Sequence, residues 1–157
     1  PDQEARMIRL SKLTDYSSLI LAIIEKGSPA QFSAAYIAKA SSIPKPTCVK
    51  LLKLLVKGGI LNSTQGPLGG YKLAKPANQI SVKTIVEAIE GPMAITECGS
   101  NETICRLTRH CTVMARWREI GDQMNRLLIT TTLQDLVSPY TLYSKSDEKI
   151  ALLEIEE

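Results

Sequence analysis

Between Ile95 and Val113 the chain reads ITECGSNETICRLTRHCTV, which places three of its four cysteines, Cys98, Cys105 and Cys111, within fourteen residues. Three thiols are one short of a tetrahedral four-thiolate site and one more than a disulfide needs. Thiolates are soft ligands that suit zinc and iron–sulfur clusters, so the cluster of cysteines points to metal or redox chemistry in a compartment where thiols stay reduced. His110, the only histidine, adjoins Cys111 and would complete a Cys₃His set of the kind that holds structural zinc. On an iron–sulfur cluster, an oxygen or nitrogen group in the fourth position would instead leave one iron easier to oxidise or displace, as a sensor requires. A thiol oxidoreductase would carry Cys-x-x-Cys beside a βαβ pattern, and the chain shows neither, so no enzyme is expected. Cys48 sits among apolar residues and is expected in the core rather than at a metal.

A second signature is electrostatic. From Lys26 to Val86 there is no Asp or Glu, where the overall acidic frequency would give about six, yet the same stretch holds nine lysines. The net charge is only +3, so the asymmetry rather than the total indicates an anionic partner, with duplex DNA the first candidate.

The elements that must position these lysines are legible in the same window. DYSSLILAIIEKG has helical periodicity and stops at Gly27; SAAYIAKAS is a short helix opened by Ser33, with Ala35, Ile37 and Ala38 near one face. SSIPKPTCVKLLKLLVKGG gives a turn, two prolines before or in a first helical turn, a core face of Leu51, Leu52, Leu54 and Leu55, and a Gly-Gly stop. The order is helix, tight turn, longer helix. ILNSTQGPLGGYKLAK then reads as a β-hairpin, with glycines at 66, 69 and 70 free to take positive φ at its tip. A helix-turn-helix followed by a hairpin is a winged helix. Lys45, Thr47 and Lys50, near the start of the second helix, are expected to face base edges, while Lys53 and Lys57 suit phosphates. Gln65 and Tyr71 on the wing are expected to tune the preference among sites.

Beyond the wing, SVKTIVEAIEGP predicts a helix capped by Ser81 and ended by Gly-Pro. After the cysteine segment, Val113, Trp117, Ile120, Met124 and Leu127 recur at intervals of four and three, a stripe expected to pack on a second copy of the chain. TTLQDLV reads as one more capped turn. The expected fold is mainly α with a small β-hairpin: a winged helix-turn-helix domain over 7–90, a cysteine-containing loop over 91–112, a dimerisation helix and C-terminal turn over 113–143, and a charged tail over 144–157. Pro1 to Arg6 precede Met7 and are left outside the fold. No apolar run reaches the ~18 residues of a membrane span and no signal layout is present, so a cytoplasmic location is expected.

Several stretches together, IRLSKLTDY at 8–16, GPLGGYKLAKPANQIS at 66–81, VEAIEGPMAITEC at 86–98 and the two later cysteines, resemble the bacterial winged-helix transcriptional regulators that sense iron–sulfur clusters, the Rrf-two type. The likeness covers residues 7 to about 137 and is greatest to regulators of the SUF iron–sulfur assembly system. It implies a homodimeric DNA-binding regulator, without enzymatic activity, controlled by a [2Fe–2S] or [4Fe–4S] cluster on Cys98, Cys105 and Cys111. A nitric-oxide or redox-sensing repressor of the same family and a zinc-containing DNA-binding protein are the alternatives. The resemblance also implies a fourth ligand at Asp15, since the aspartate of this TDY start reaches the cluster from the partner subunit in nitric-oxide-sensing relatives; His110 and Met114 are its rivals. Two departures stand out. Gln65 replaces an arginine that many relatives carry on the wing, and six residues separate the first two cysteines where some relatives have five.

Overall fold

The computed structural model describes residues 10–27, 31–92 and 112–138. α1 (Lys12–Lys26) starts three residues before Asp15: Ser11 is the N-cap, and Asp15 lies exposed in the first turn. Its buried side, Thr14, Ser17, Ile20, Leu21 and Ile24, faces the core. Gly27 ends the helix with extended dihedrals (φ −80°), so the glycine is not used for a left-handed cap. Space is the reason for its small size, because a Cβ there would lie 2.1 Å from the Phe32 ring.

α2 (Ala34–Ser41) is capped as expected, with the Ser33 hydroxyl accepting from the Tyr36 N–H at 3.2 Å. Ile37 and Ala38 are buried, but Ala35 turns to solvent. The tight turn that follows passes through Ser42 at φ 57°, a left-handed conformation in a residue that is not glycine. α3 (Lys45–Lys57) then places Pro46 in its first turn, where a missing N–H costs nothing. Cys48, Leu51, Leu52 and Leu55 are fully buried, whereas Leu54 is only half-buried at the edge of the core. The Gly-Gly stop is a complete Schellman closure: Gly59 is left-handed at φ 70°, its N–H reaches the Val56 carbonyl at 3.0 Å, and Ile60 N–H reaches Leu55 at 3.0 Å.

β1 (Leu61–Thr64) and β2 (Gly70–Leu73) form the antiparallel hairpin, with Leu61 opposite Leu73 and Thr64 opposite Gly70. At its tip Gly66 has φ 108°, but Gly69 is held by crowding, since a Cβ would lie 2.1 Å from the Thr64 carbonyl oxygen. A 3₁₀ turn (Ala77–Gln79) leads to α4 (Val82–Glu90), where Ser81 caps Thr84 and Gly91 ends the helix at φ 86°. α5 (Met114–Thr130) follows the cysteine segment, and α6 (Leu133–Val137) begins with a reciprocal Thr132–Asp135 capping box. α6 packs on α1 and buries Leu133 and Val137 in the same core as α2 and α3. Backbone bonds from Val82 to Thr131 and from Leu133 to Ile80, both 2.8 Å, fix that return. Among the described residues no helix is long and apolar enough to cross a membrane.

Candidate nucleic-acid interface

α2, the Ser42 turn and α3 form the helix-turn-helix, and the hairpin is fastened beside it. Phe32, just before α2, bridges Tyr71 of β2 through two backbone hydrogen bonds, so the wing is tied to the entrance of the motif by main chain. Tyr71 is consequently half-buried at the foot of the wing, while Gln65 and Leu68 are exposed at its tip, Leu68 by 94%.

The outer side of α3 is basic. Lys45, Lys50, Lys53 and Lys57 are exposed and Thr47 is half-buried. Lys39, Lys72 and Lys75 extend the exposed positive surface over α2 and the hairpin. Lys83 faces Glu87 across one turn of α4 at 3.5 Å, and none of the other lysines of the acid-free stretch makes an ion pair among the described residues. A dense set of uncompensated cations on one helix and its wing suits a polyanion better than a folded acidic partner.

Cys98, Cys105, Cys111 and His110 lie outside the described residues. The root of their segment is nonetheless fixed. Glu90, the last residue of α4, accepts a hydrogen bond from the Ser11 N–H at 2.9 Å and another from the Thr14 hydroxyl. Those bonds from Ser11 and Thr14 hold its carboxyl below the ordinary glutamate range. The end of α4 is thus held beside the first turn of α1, the turn that carries Asp15. Among the described residues no three His, Cys, Asp or Glu side chains converge into a metal site. Cys48 is buried, burial raises its thiol pKa, and its sulfur lies 4.0 Å from the Ala34 carbonyl oxygen, all consistent with a packing role.

α5 carries no buried residue although it touches α4. Trp117 is 45% exposed, Ile120 43% and Leu127 64%, with Met124 half-buried between them. The expected stripe is thus left uncovered by the chain's own core.

Glu90 and Phe32 were invisible as functional positions in the sequence. Glu90 reads as an ordinary acid near a helix end, and its partners stand 76 and 79 residues away.

A family model described as an iron-dependent transcriptional regulator, Rrf2, matches residues 10–139. The chain belongs to the Rrf2 family of transcriptional regulators. It is similar to protein rrf2 of Nitratidesulfovibrio vulgaris, 34% identical over 82% of this chain and 85% of that protein. It is also similar to the HTH-type transcriptional regulator IscR of Pectobacterium atrosepticum, 30% identical over 73% of this chain and 70% of that one. Among solved structures, CymR, the global cysteine regulator of B. subtilis, aligns with a TM-score of 0.63 at 26% identity, covering 84% of this chain and 98% of that one. T. potens IscR aligns with a TM-score of 0.61 over 88% of this chain and 94% of that chain; at 19% identity it shares the fold. The winged-helix architecture and the regulatory class of this Rrf2-family chain agree with the expectation from its sequence, and its relatives are regulators rather than enzymes.

Proposed function

We propose that this Rrf2-family chain is a homodimeric, cytoplasmic regulator that binds specific duplex DNA and whose affinity or site preference is set by an iron–sulfur cluster. The observation that carries the DNA reading is the uncompensated lysine face of α3, held beside a wing that the Phe32–Tyr71 bridge fixes in place. In this reading Lys45, Thr47 and Lys50 approach base edges, Lys53 holds phosphate, and Gln65 at the wing tip meets an adjacent groove. Tyr71 acts by setting the wing's position. The uncovered stripe of α5 supplies the two-fold interface, which sets the spacing of the two α3 helices.

For the cluster, the donor set is the test of fit. Three closely spaced thiolates, Cys98, Cys105 and Cys111, match iron–sulfur chemistry, and Asp15 or His110 offers the harder fourth donor. Asp15 is the assignment that the resemblance of the TDY start favours, reached from the partner subunit, with His110 and Met114 as its rivals. When bound, the cluster supplies a group whose charge and integrity change with oxidant, nitric oxide or iron supply. The chain's own residues transmit such a change through Glu90, which links that segment to α1, and α1 packs on α2 and α3.

The likeness to CymR favours a second reading, in which the fold answers a signal other than a cluster. Anaerobic purification followed by iron and sulfide analysis and a visible spectrum separates the readings. A brown protein with matched iron and sulfide, colourless after serine replacement of the three cysteines, supports the cluster. A colourless protein containing zinc, or no metal, opposes it. Asp15→Ala against His110→Ala then identifies the fourth ligand, since only the ligand's loss shifts the spectrum.

A further inference from the structure

The side-chain pairings that read bases in the major groove use Arg or Lys for guanine, Asn or Gln for adenine, and Glu or Asp for cytosine. α3, KPTCVKLLKLLVK, contains lysine but none of the other five residue types. Its remaining polar base reader of any reach is lysine, a flexible point charge that suits phosphates and guanine acceptors. Lysine can mark guanine and the short Thr47 hydroxyl discriminates little, so recognition of an adenine–thymine pair by this helix needs another source.

The outer side of α3 shows one. Pro46, Val49, Lys50, Lys53, Leu54 and Lys57, spaced by threes and fours, line a shallow groove along the helix opposite the buried Cys48, Leu51, Leu52 and Leu55. Leu54 also packs against the core, but Pro46 is exposed and Val49 half-buried near the N-terminal end, framed by Lys45, Lys50 and Lys53. An apolar spot ringed by cations matches one feature of the major groove: the 5-methyl group of thymine is the apolar contact that base edges offer there, and it lies between two rows of phosphates.

We propose that Val49, with Pro46 beside it, reads thymine 5-methyl groups in the major groove, so that thymine positions specify the α3 half of this protein's binding site. The proposal rests on the DNA-binding reading of α3. Lys53 and Lys57 neutralise phosphates and hold the helix in register, while the methyl contact distinguishes thymine from cytosine, whose C5 carries only hydrogen.

The test begins with duplexes selected from a random library by the full chain, purified anaerobically. Each thymine of the selected site is then replaced singly by deoxyuridine, which removes the methyl and leaves every hydrogen-bonding group. At one or two positions per half-site, binding should weaken about fourfold, the loss expected for one methyl-sized group returned to water. Val49→Ala should bind thymine and uracil equally at that position. A flat deoxyuridine scan of the unmodified chain on a tightly bound duplex would overturn the proposal, and that arm requires no variant to fold. A penalty that persists in full in both Val49→Ala and Pro46→Ala would overturn it too. If no duplex is selected at all, the DNA-binding reading itself fails and this inference goes with it.

Discussion

Phe32 and Tyr71 exchange both backbone hydrogen bonds, 2.9 Å from the Phe32 N–H to the Tyr71 carbonyl and 2.8 Å in return, and glycines stand where side chains would part them. A Cβ on Gly70 would lie 2.6 Å from the Phe32 carbonyl oxygen. Gly70→Ala must push backbone from backbone, at a cost of about 1–3 kcal/mol, or roughly 2–4 °C of melting temperature for each kcal/mol. The variant should also lose DNA affinity beyond what its remaining folded fraction explains, because the wing shifts relative to α3. Thermal melts paired with binding titrations check both effects.

Glu90 joins two helices with opposite electrostatic demands. At the C-terminus of α4 its charge is unfavourable, but at the N-terminus of α1 it meets the Ser11 N–H and the Thr14 hydroxyl. The hydrogen bonds from Ser11 and Thr14 lower its pKa. Glu90→Ala should cost about 1 kcal/mol at neutral pH, the usual loss for an N-cap. A lowered folded pKa gives stability that is present above the unfolded value of about 4.3 and disappears as pH falls through the folded one. The melting difference between wild type and variant should therefore shrink below about pH 4, and a difference that grows there would contradict the assignment.

Lys50 is exposed on the groove-lining side of α3. Lys50→Glu should weaken specific binding strongly and reduce the slope of log affinity against log salt by about one per protomer. Salt titrations of wild type and variant on one duplex measure this. An unchanged slope and affinity would move the interface off α3.

Ile120 is 43% exposed on a helix with no buried residue. Ile120→Asp places a desolvated charge in the proposed seam, twice by symmetry, at about 3 kcal/mol or more. Light scattering should show monomers with a normal melting transition and poor DNA binding. A dimeric variant would locate the interface elsewhere.

Most of the helices and the hairpin were legible because their signals are local: periodicity in α1 and α3, serine caps at 33 and 81, and the Gly-Gly stop at 58–59. The basic surface was legible because the acid-free window folds as one contiguous motif, and among the described residues only Lys83 meets an acid from outside it. What escaped depends on distant partners. Gly27 reads as a helix stop and Gly69 as a free tip residue, but both answer to crowding, by Phe32 and Thr64. Leu54 matched the core period yet sits at the edge beside the lysine groove. The burial of Leu133 and Val137 against α1 could not be read from a five-residue helix more than a hundred residues away. Val49 carries no distinguishing signal in the sequence, because periodicity alone does not separate a core valine from one offered to a ligand.

In the proposed regulator DNA binding and the cluster are coupled, and the affinities of its two cluster states measure that coupling. The affinity of the full chain for a single selected duplex is measured by fluorescence anisotropy, anaerobically, before and after the cluster is destroyed, with a scrambled duplex as reference. A change of at least about tenfold is expected on the selected duplex, a coupling of about 1.4 kcal/mol or more, with little change on the scrambled one. Equal affinities in both states, from a preparation shown to carry iron and sulfide, would contradict it.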